Sequence, residues 1–432
     1  MSLPARRALV DIAWVGGPKL ANGLCTVLFS LWLIQVLEPG AFGLFSLAVT
    51  LLTFCDAVIG GPLDLAALRL AQLRRGSGTV AAQVAALLTK LAVATIAAGL
   101  AFAMAGAGVG PLAEFASRPG ALAATAVALL GLLTLRSLLL RLQLSGRFRA
   151  YGAVDLAHTT LRYGAGATVV LLAHATPSAL LACFAAAPLV LVAGTAPRLG
   201  LGSTDRALPR GQDLIDLGHM AGWLLLTTCL GLLIAKLDVL SLATSASLDQ
   251  LGIYAAGQLI ASVPELLGAY VAVVTTPMLD RWARARRLGS SFRSLQLVLL
   301  AGAVAGCLVG LLLLRLVGDV LLPSDYARAI PVTLILLPGA AGAFAAVPIA
   351  LPLVLFLRRR LLFGIDLLLL PVILAAYLLV VPRFGVPGAA AVACGTTLLR
   401  SGIVIAAAWR LAVWDGSDER FLDTDRAGPD GA

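Results

Sequence analysis

Residues 120–149 read GALAATAVALLGLLTLRSLLLRLQLSGRFR. Positions 120–142 supply the roughly 20 apolar residues that a membrane-spanning helix needs. The turn that follows carries Arg141, Arg147 and Arg149. The same sequence of events, an apolar stretch closed by a basic turn, recurs along the whole chain. Arg6 and Arg7 precede the first apolar stretch, and Arg69, Arg74 and Arg75 follow the second. Arg198, Arg206 and Arg210 follow the sixth; Arg281, Arg284, Arg286, Arg287 and Arg293 follow the eighth; Arg358, Arg359 and Arg360 follow the tenth. The alternate gaps hold little beyond Arg118, Arg328 and Arg383. Basic residues in short loops stay on the cytoplasmic side of a bilayer. The pattern therefore predicts an all-α integral membrane protein of twelve transmembrane helices with both termini cytoplasmic.

We place the spans near 12–36, 41–66, 82–104, 120–142, 150–173, 177–197, 214–242, 251–278, 294–317, 331–357, 361–381 and 386–410. Composition agrees: 60% of the residues are hydrophobic and 12% charged, with a mean hydropathy of +0.98, which excludes an ordinary soluble domain. Trp14, Trp223, Trp282, Trp409 and Trp414 fall at predicted inner ends and Trp32 near an outer end, as interfacial aromatic belts require. The first apolar stretch is too long for a signal peptide and reads as an uncleaved anchor. The formal charge of +10 is spread over the inner loops, so anionic lipid headgroups, and not nucleic acid, are the expected partner. Six cysteines scattered one per apolar segment, without CxxC spacing, read as small buried hydrophobes. The three histidines are too far apart for a zinc motif, and none of the three lysines lies in a GxxxxGK[ST] phosphate loop. No cofactor is called for. Arginine in large excess over lysine, with abundant Ala, Leu and Gly, suggests a GC-rich bacterial genome and thus the cytoplasmic (inner) membrane.

The chain also repeats itself. Leu37-Glu-Pro-Gly-Ala-Phe-Gly-Leu-Phe45 and Ala246-Ser-Leu-Asp-Gln-Leu-Gly-Ile-Tyr254 are both outer turns leading into a helix, offset by 209 residues. The same offset carries Asp56 onto Glu265, each 13 residues beyond its repeat glycine and near mid-membrane. Two six-helix lobes follow, residues 1–205 and 206–414, related by an axis along the membrane normal. The polar, breaker-rich stretch 198–213 links them, with Asp213 to His219 running along the inner surface before the seventh helix. Residues 415–432 read as a disordered acidic cytoplasmic tail.

Four segments carry a family resemblance. They are the run Leu37 to Phe45, Lys236-Leu237-Asp238 followed by Leu248 to Tyr254, Ser324-Asp325-Tyr326-Ala327 through Pro331 to Leu337, and Pro382-Arg-Phe-Gly-Val-Pro-Gly-Ala-Ala390. In order and spacing they resemble polysaccharide-biosynthesis membrane proteins. These are the O-antigen (lipopolysaccharide) and lipid-linked oligosaccharide flippases of the multidrug/oligosaccharidyl-lipid/polysaccharide exporter superfamily, the MOP superfamily, to which MATE exporters also belong. The resemblance implies a transporter, not an enzyme. It would move an undecaprenyl-diphosphate-linked glycan from the inner to the outer leaflet, by alternating access of two lobes around a central cavity. Glycosyltransferases or a polymerase of the same route are the protein partners such a role brings with it. The resemblance supplies no site residues.

Candidates come instead from charges inside the bilayer, each of which costs about 2.5–3.5 kcal/mol at mid-membrane and needs a reason. Lys90, Arg136 and Arg315 lie near predicted helix ends and are expected to snorkel, and Asp64 to sit at the cytoplasmic end of the second helix. Lys19 follows Gly16, Gly17 and Pro18, where the first helix should bend. Asp155, His158, Thr159 and Arg162 fall at i, i+3, i+4 and i+7 on one helix face. Such a stripe must face another helix or a wet cavity. Lys236 and Asp238 lie in the seventh span and Arg400 in the last. One reading makes these structural ion pairs, such as Asp155 with Arg162. The other makes Lys19, Arg162, Lys236, Arg400 and His158 the lining of a cationic cavity that replaces the hydration shell of a diphosphate. Asp56, Glu265, Asp155 and Asp238 are then candidate coupling acids for a proton or sodium gradient. Two other functions stay open: a cation-coupled multidrug exporter of the same superfamily, and a membrane polysaccharide polymerase or ligase. The latter is disfavoured because the outer gaps at 105–119 and 318–330 are too short for a catalytic domain.

Overall fold

The computed structural model describes residues 3–73, 83–95, 110–172, 176–195, 197, 211–284 and 288–414. The acidic tail, most of the predicted lobe linker and the end of the third predicted span lie outside these residues. All regular structure among the described residues is helical, as expected where backbone polar groups must be satisfied without water. Eight helices are long and apolar enough to cross a membrane, or nine if one bent pair counts as a single span. The apolar side chains point outward as well as inward. On the helix Leu288–Leu321, Val304, Leu308, Leu312 and Leu316 form an exposed i, i+4 stripe, while Gln296 and Phe292 are fully buried. That inversion suits a lipid surround. The chain is a multi-pass membrane protein.

It divides into two compact units, Met1–Ala255 and Ala256–Ala432. In the first, α1 (Leu3–Val36) continues through Pro18. α2 (Pro39–Cys55) starts with Pro39 in its first turn after an extended Glu38, where a missing N–H costs nothing. It runs into a π-helical turn, Asp56–Gly60, before α3 (Gly61–Leu73). The cause is Pro62: it has no N–H to give to the Val58 carbonyl, and its ring would clash there, so the helix widens. α4 (Gln83–Thr95), α5 (Gly110–Ala116), α6 (Pro119–Leu144), α7 (Phe148–Leu172) and α8 (Pro177–Thr195) follow. α1 packs on α7 and α6 on α8, with glycines at the crossings. A Cβ on Gly166 would stand 2.8 Å from the Phe29 ring, and one on Gly131 3.0 Å from Pro188. α9 is one continuous helix, Gly211–Ser245. The surface segment expected at Asp213 to His219 is therefore helical from the outset, and Asp213 is buried.

α10 (Leu248–Ala261) and α11 (Val263–Arg284) are bent 44° apart, because Pro264 cannot donate to the Ile260 carbonyl. In the second unit α12 (Leu288–Leu321), α13 (Ala329–Ala346) and α14 (Ala350–Trp414) pack together. α14 is interrupted by non-helical backbone at Arg358 and at Gly385, where φ is +59°. These two breaks fall in the basic turn and the Pro382–Pro387 gap that separate the last predicted spans. All six cysteines are free thiols.

Candidate functional site

In the first unit, α1, α7 and α8 converge on Arg162. Its Nη2 donates to Asn22 Oδ1 at 3.0 Å and to the Tyr163 hydroxyl. Thr26 Oγ1 donates to the Asn22 carbonyl at 2.7 Å. Its 2.5 Å contact with the Tyr163 oxygen is therefore donated by the tyrosine. A directed chain results, guanidinium to phenol to threonine to backbone. The guanidinium carbon lies 4.4 Å from the Tyr163 ring centre and 4.8 Å from that of Phe184. Cation–π contacts shielded from water contribute about 2 kcal/mol. Phe29 packs on Tyr163 at 5.2 Å and Phe45 on Phe184 at 5.4 Å, which locks both rings. With one nitrogen so held, Arg162 Nε is buried and without a hydrogen-bond partner. Among the described residues no carboxylate pairs with Arg162, so the Asp155–Arg162 ion pair does not form. Asp155 lies instead within electrostatic reach of Lys19, Arg162 and Arg136. His158, one turn before Arg162, is buried, and Lys19 is exposed on α1. The predicted stripe on α7 and Lys19 on α1 are thus brought together.

A second cluster in the same unit departs from expectation. Lys90 and Arg136 do not snorkel to a helix end. Lys90 is 0% exposed and donates to Asp64 Oδ1 and, at 3.1 Å, to Ser137 Oγ. Arg136 Nε donates to Asp64 Oδ2 at 3.2 Å and its Nη1 to Asp56 Oδ2 at 2.6 Å. Asp64 is therefore a bridge between two cations. Nη1 also reaches the Asp56 carbonyl at 3.2 Å, where the π turn begins. Gly60 leaves the room: a Cβ there would stand 2.9 Å from that nitrogen. Two acids and two bases make the cluster neutral in formal charge, and Asp56 Oδ1 is buried and unpaired.

The remaining candidates are dispersed. Asp238 is buried, accepts from the Tyr254 hydroxyl at 2.5 Å and from the Val239 N–H at 2.7 Å, and lies within reach of Lys236. Glu265 is exposed in the first turn of α11, just after the Pro264 break. In the second unit Arg400 makes a two-point pair with Asp366, Nε to Oδ1 at 2.7 Å and Nη2 to Oδ2 at 2.9 Å. Asp366 is 3% exposed. We expect Arg400→Gln to destabilise the protein by about 3–5 kcal/mol, since it strands a buried carboxylate. The pair Arg400→Gln/Asp366→Asn should recover most of that loss in a thermal unfolding series in detergent. An apolar groove of about 370 Å³ between α12, α13 and the end of α14 is lined by Ala303, Cys307, Gly342 and Ser401, and holds no charged side chain.

Sequence reading missed Asn22, Thr26, Tyr163 and Phe184. The signal for two of them was present, because Lys19, Asn22 and Thr26 fall at i, i+3 and i+7 and form the same kind of polar stripe as that on α7.

No family model matches the chain, and no curated protein matches it in sequence. Solved structures do match. The lipid II flippase MurJ in an inward closed conformation superposes with a TM-score of 0.73 at 8% identity, over 96% of this chain and 92% of that one. An inward-facing multidrug resistance MATE transporter of the MOP superfamily gives 0.62 at 13% identity, over 94% and 96%. A MOP superfamily transporter from Pyrococcus furiosus, described as having a binding pocket of reversed polarity, gives 0.58 at 14% identity, over 96% of both chains. The chain has the fold shared by MurJ and the MATE transporters.

Proposed function

We propose that the chain is a membrane transporter that flips an undecaprenyl-diphosphate-linked oligosaccharide to the outer leaflet of a bacterial cytoplasmic membrane. Twelve spans, cytoplasmic termini and two lobes at 1–205 and 206–414 are part of this reading. The fold it shares with a lipid II flippase supports it. The carrying observation is how the embedded cations are partnered. Arg136, Lys90 and Arg400 are each paired with carboxylates. Arg162 is held by neutral groups with its Nε buried and open. A cation positioned without a neutralising acid suits an anionic group that arrives from outside. Arg162 is therefore the first residue we assign to the diphosphate, with Lys19 and His158 beside it. Lys236 follows, and Arg400 comes last because Asp366 already occupies it.

Loss of the gene should remove a surface glycan and accumulate its diphosphate-linked precursor in lipid extracts. Normal glycan with raised sensitivity to cationic drugs would instead favour the second reading, a multidrug exporter with the same fold. The observation on that side is the unpaired, buried Asp56 Oδ1 at the π turn, a place where a proton could bind. Asp56 and its repeat partner Glu265 are the proposed coupling acids. Asp155 and Asp238 are secondary ones. Transport that keeps its full gradient dependence in Asp56→Asn would remove the coupling role.

A further inference from the structure

The second unit breaks a helix inside one of its predicted spans. α13 ends at Ala346 and α14 begins at Ala350, within the predicted span 331–357. Pro348 and Pro352 are the cause. Neither has an N–H, so the Phe344 and Pro348 carbonyls lose the donors that a continuous helix would supply. Two side chains from neighbouring helices reach in. The Thr275 hydroxyl of α11 donates to the Pro348 carbonyl. Gln296 of α12 donates through Nε2 to the Ala345 carbonyl at 2.9 Å.

Gln296 is 0% exposed, and its Oε1 is buried with no hydrogen-bond partner. Turning the amide over does not help, since it would set two oxygens 2.9 Å apart. Phe292 and Leu299, which flank Gln296 on one face of α12, pack with Ile349, Ala350 and Leu353 in a single apolar cluster. Ala345 also walls the groove of about 370 Å³, so the break borders a cavity. The place gathers acceptors: an amide oxygen, the lone pairs of a hydroxyl, and carbonyls at the C-terminal, negative end of α13. An acceptor left unmatched in such surroundings costs about 1–3 kcal/mol.

The first unit meets the same need with cations of its own. An offset of 209 residues carries Asp64, Lys90 and Arg136 onto Val273, Leu299 and Ala345, on α11, α12 and α13. In the first unit Lys90 and Arg136 fill the cluster, and Arg136 Nη1 reaches the Asp56 carbonyl where that helix is interrupted. The second unit has aliphatic residues at all three positions. We propose that Gln296 Oε1, the Thr275 hydroxyl and the carbonyls at the α13–α14 break bind an alkali cation such as sodium. Neutral oxygens at a broken helix can replace the hydration shell of a monovalent ion. A divalent ion would call for carboxylates, and these groups include none. The groups are distinct from the proposed coupling acids, and the inference does not depend on the cargo.

The test follows the unfolding midpoint of the full chain in detergent against added sodium chloride or potassium chloride. N-methylglucamine chloride holds the ionic strength constant. At least one of the two alkali cations should raise the parent's midpoint in a saturating way, as a ligand of the folded state does. Gln296→Met keeps the length of the side chain but deletes Oε1, and should weaken the apparent affinity about tenfold or more. Gln296→Glu adds a charge beside the ion and should strengthen it, which a merely structural glutamine would not do. Thr275→Val should weaken it, and it decides if neither Gln296 variant folds. Gly395→Ala, where an added Cβ meets nothing within 4 Å, should respond like the parent. A parent midpoint indifferent to which cation is present would overturn the site and leave a buried water on Gln296. Parent-like affinity in both Gln296 variants, or in Thr275→Val where those do not fold, would overturn it too.

Discussion

Asp64→Asn is expected to lower the stability of the folded protein by about 3–5 kcal/mol, the cost of stranding one member of a buried ion pair. Lys90 is wholly buried, and its other hydrogen bond in the cluster goes to the neutral Ser137 hydroxyl. An amide at position 64 has one acceptor oxygen where the carboxylate offers two, so the loss includes one hydrogen bond, to Lys90 or to Arg136, as well as the charge. Arg136 would keep Asp56 as its carboxylate, and the cluster would carry an excess positive charge in a medium that does not screen it. Lys90→Met should cost a similar amount, because Arg136 is then left to serve both Asp56 and Asp64 and the cluster carries one excess negative charge. The pair Asp64→Asn/Lys90→Met should lie well above Asp64→Asn alone in unfolding midpoint. Glu114→Gln, which breaks the exposed i, i+4 pair with Arg118, should cost no more than about 0.5 kcal/mol. A detergent unfolding series in which Asp64→Asn and Glu114→Gln behave alike would show that the cluster is wetter than its burial indicates.

That cluster also shows where sequence reading stopped. Hydropathy and arginine spacing are one-dimensional signals, and they suffice for apolar helices separated by basic turns. Position along a helix cannot say which face a charge occupies. Arg136 lies six residues from Leu142 and reads as an end residue free to snorkel. Only the packing of α6 against the π turn turns it inward. The same blindness hid Asp366, the partner of Arg400, 34 residues away in sequence. Where the signal is periodic the sequence carries further: the i, i+3, i+7 spacing on α7 places Asp155, His158 and Arg162 on one face. It did not predict which neighbours that face would meet. The groups that touch Arg162 are aromatic and neutral, and this is what makes it different from the other embedded cations. The interruptions in the second segment of each repeat were legible in principle. Pro62 and Pro264 lie within a few residues of Asp56 and Glu265, and paired breaks in repeated helices point to working sites.

Arg162→Gln is expected to lower flipping of an undecaprenyl-diphosphate-linked oligosaccharide in proteoliposomes about ten- to a hundredfold, the worth of one hydrogen bond to a charged group. The substitution also removes the stacking on Tyr163 and Phe184, so transport must be read against stability. Tyr163→Phe separates the two. It keeps the ring under the guanidinium and the charge itself, but breaks the chain from Arg162 through the phenol to Thr26. If Arg162 serves only to hold α1 against α7, both variants should lose stability together and their transport should fall in proportion. If its open Nε receives the diphosphate, Tyr163→Phe should transport nearly as well as the parent at matched folded protein. Arg162→Gln should not. Arg162→Lys should fall between them, because an ammonium keeps the charge but has no planar fork to present one nitrogen to Asn22 and another to the ligand. Arg400→Gln supplies the opposite case: its guanidinium is spent on Asp366, so its transport defect should track its stability. Parent-level flipping by Arg162→Gln would take the diphosphate away from this site, and with it the main reason for preferring a glycolipid to a small cation as the cargo.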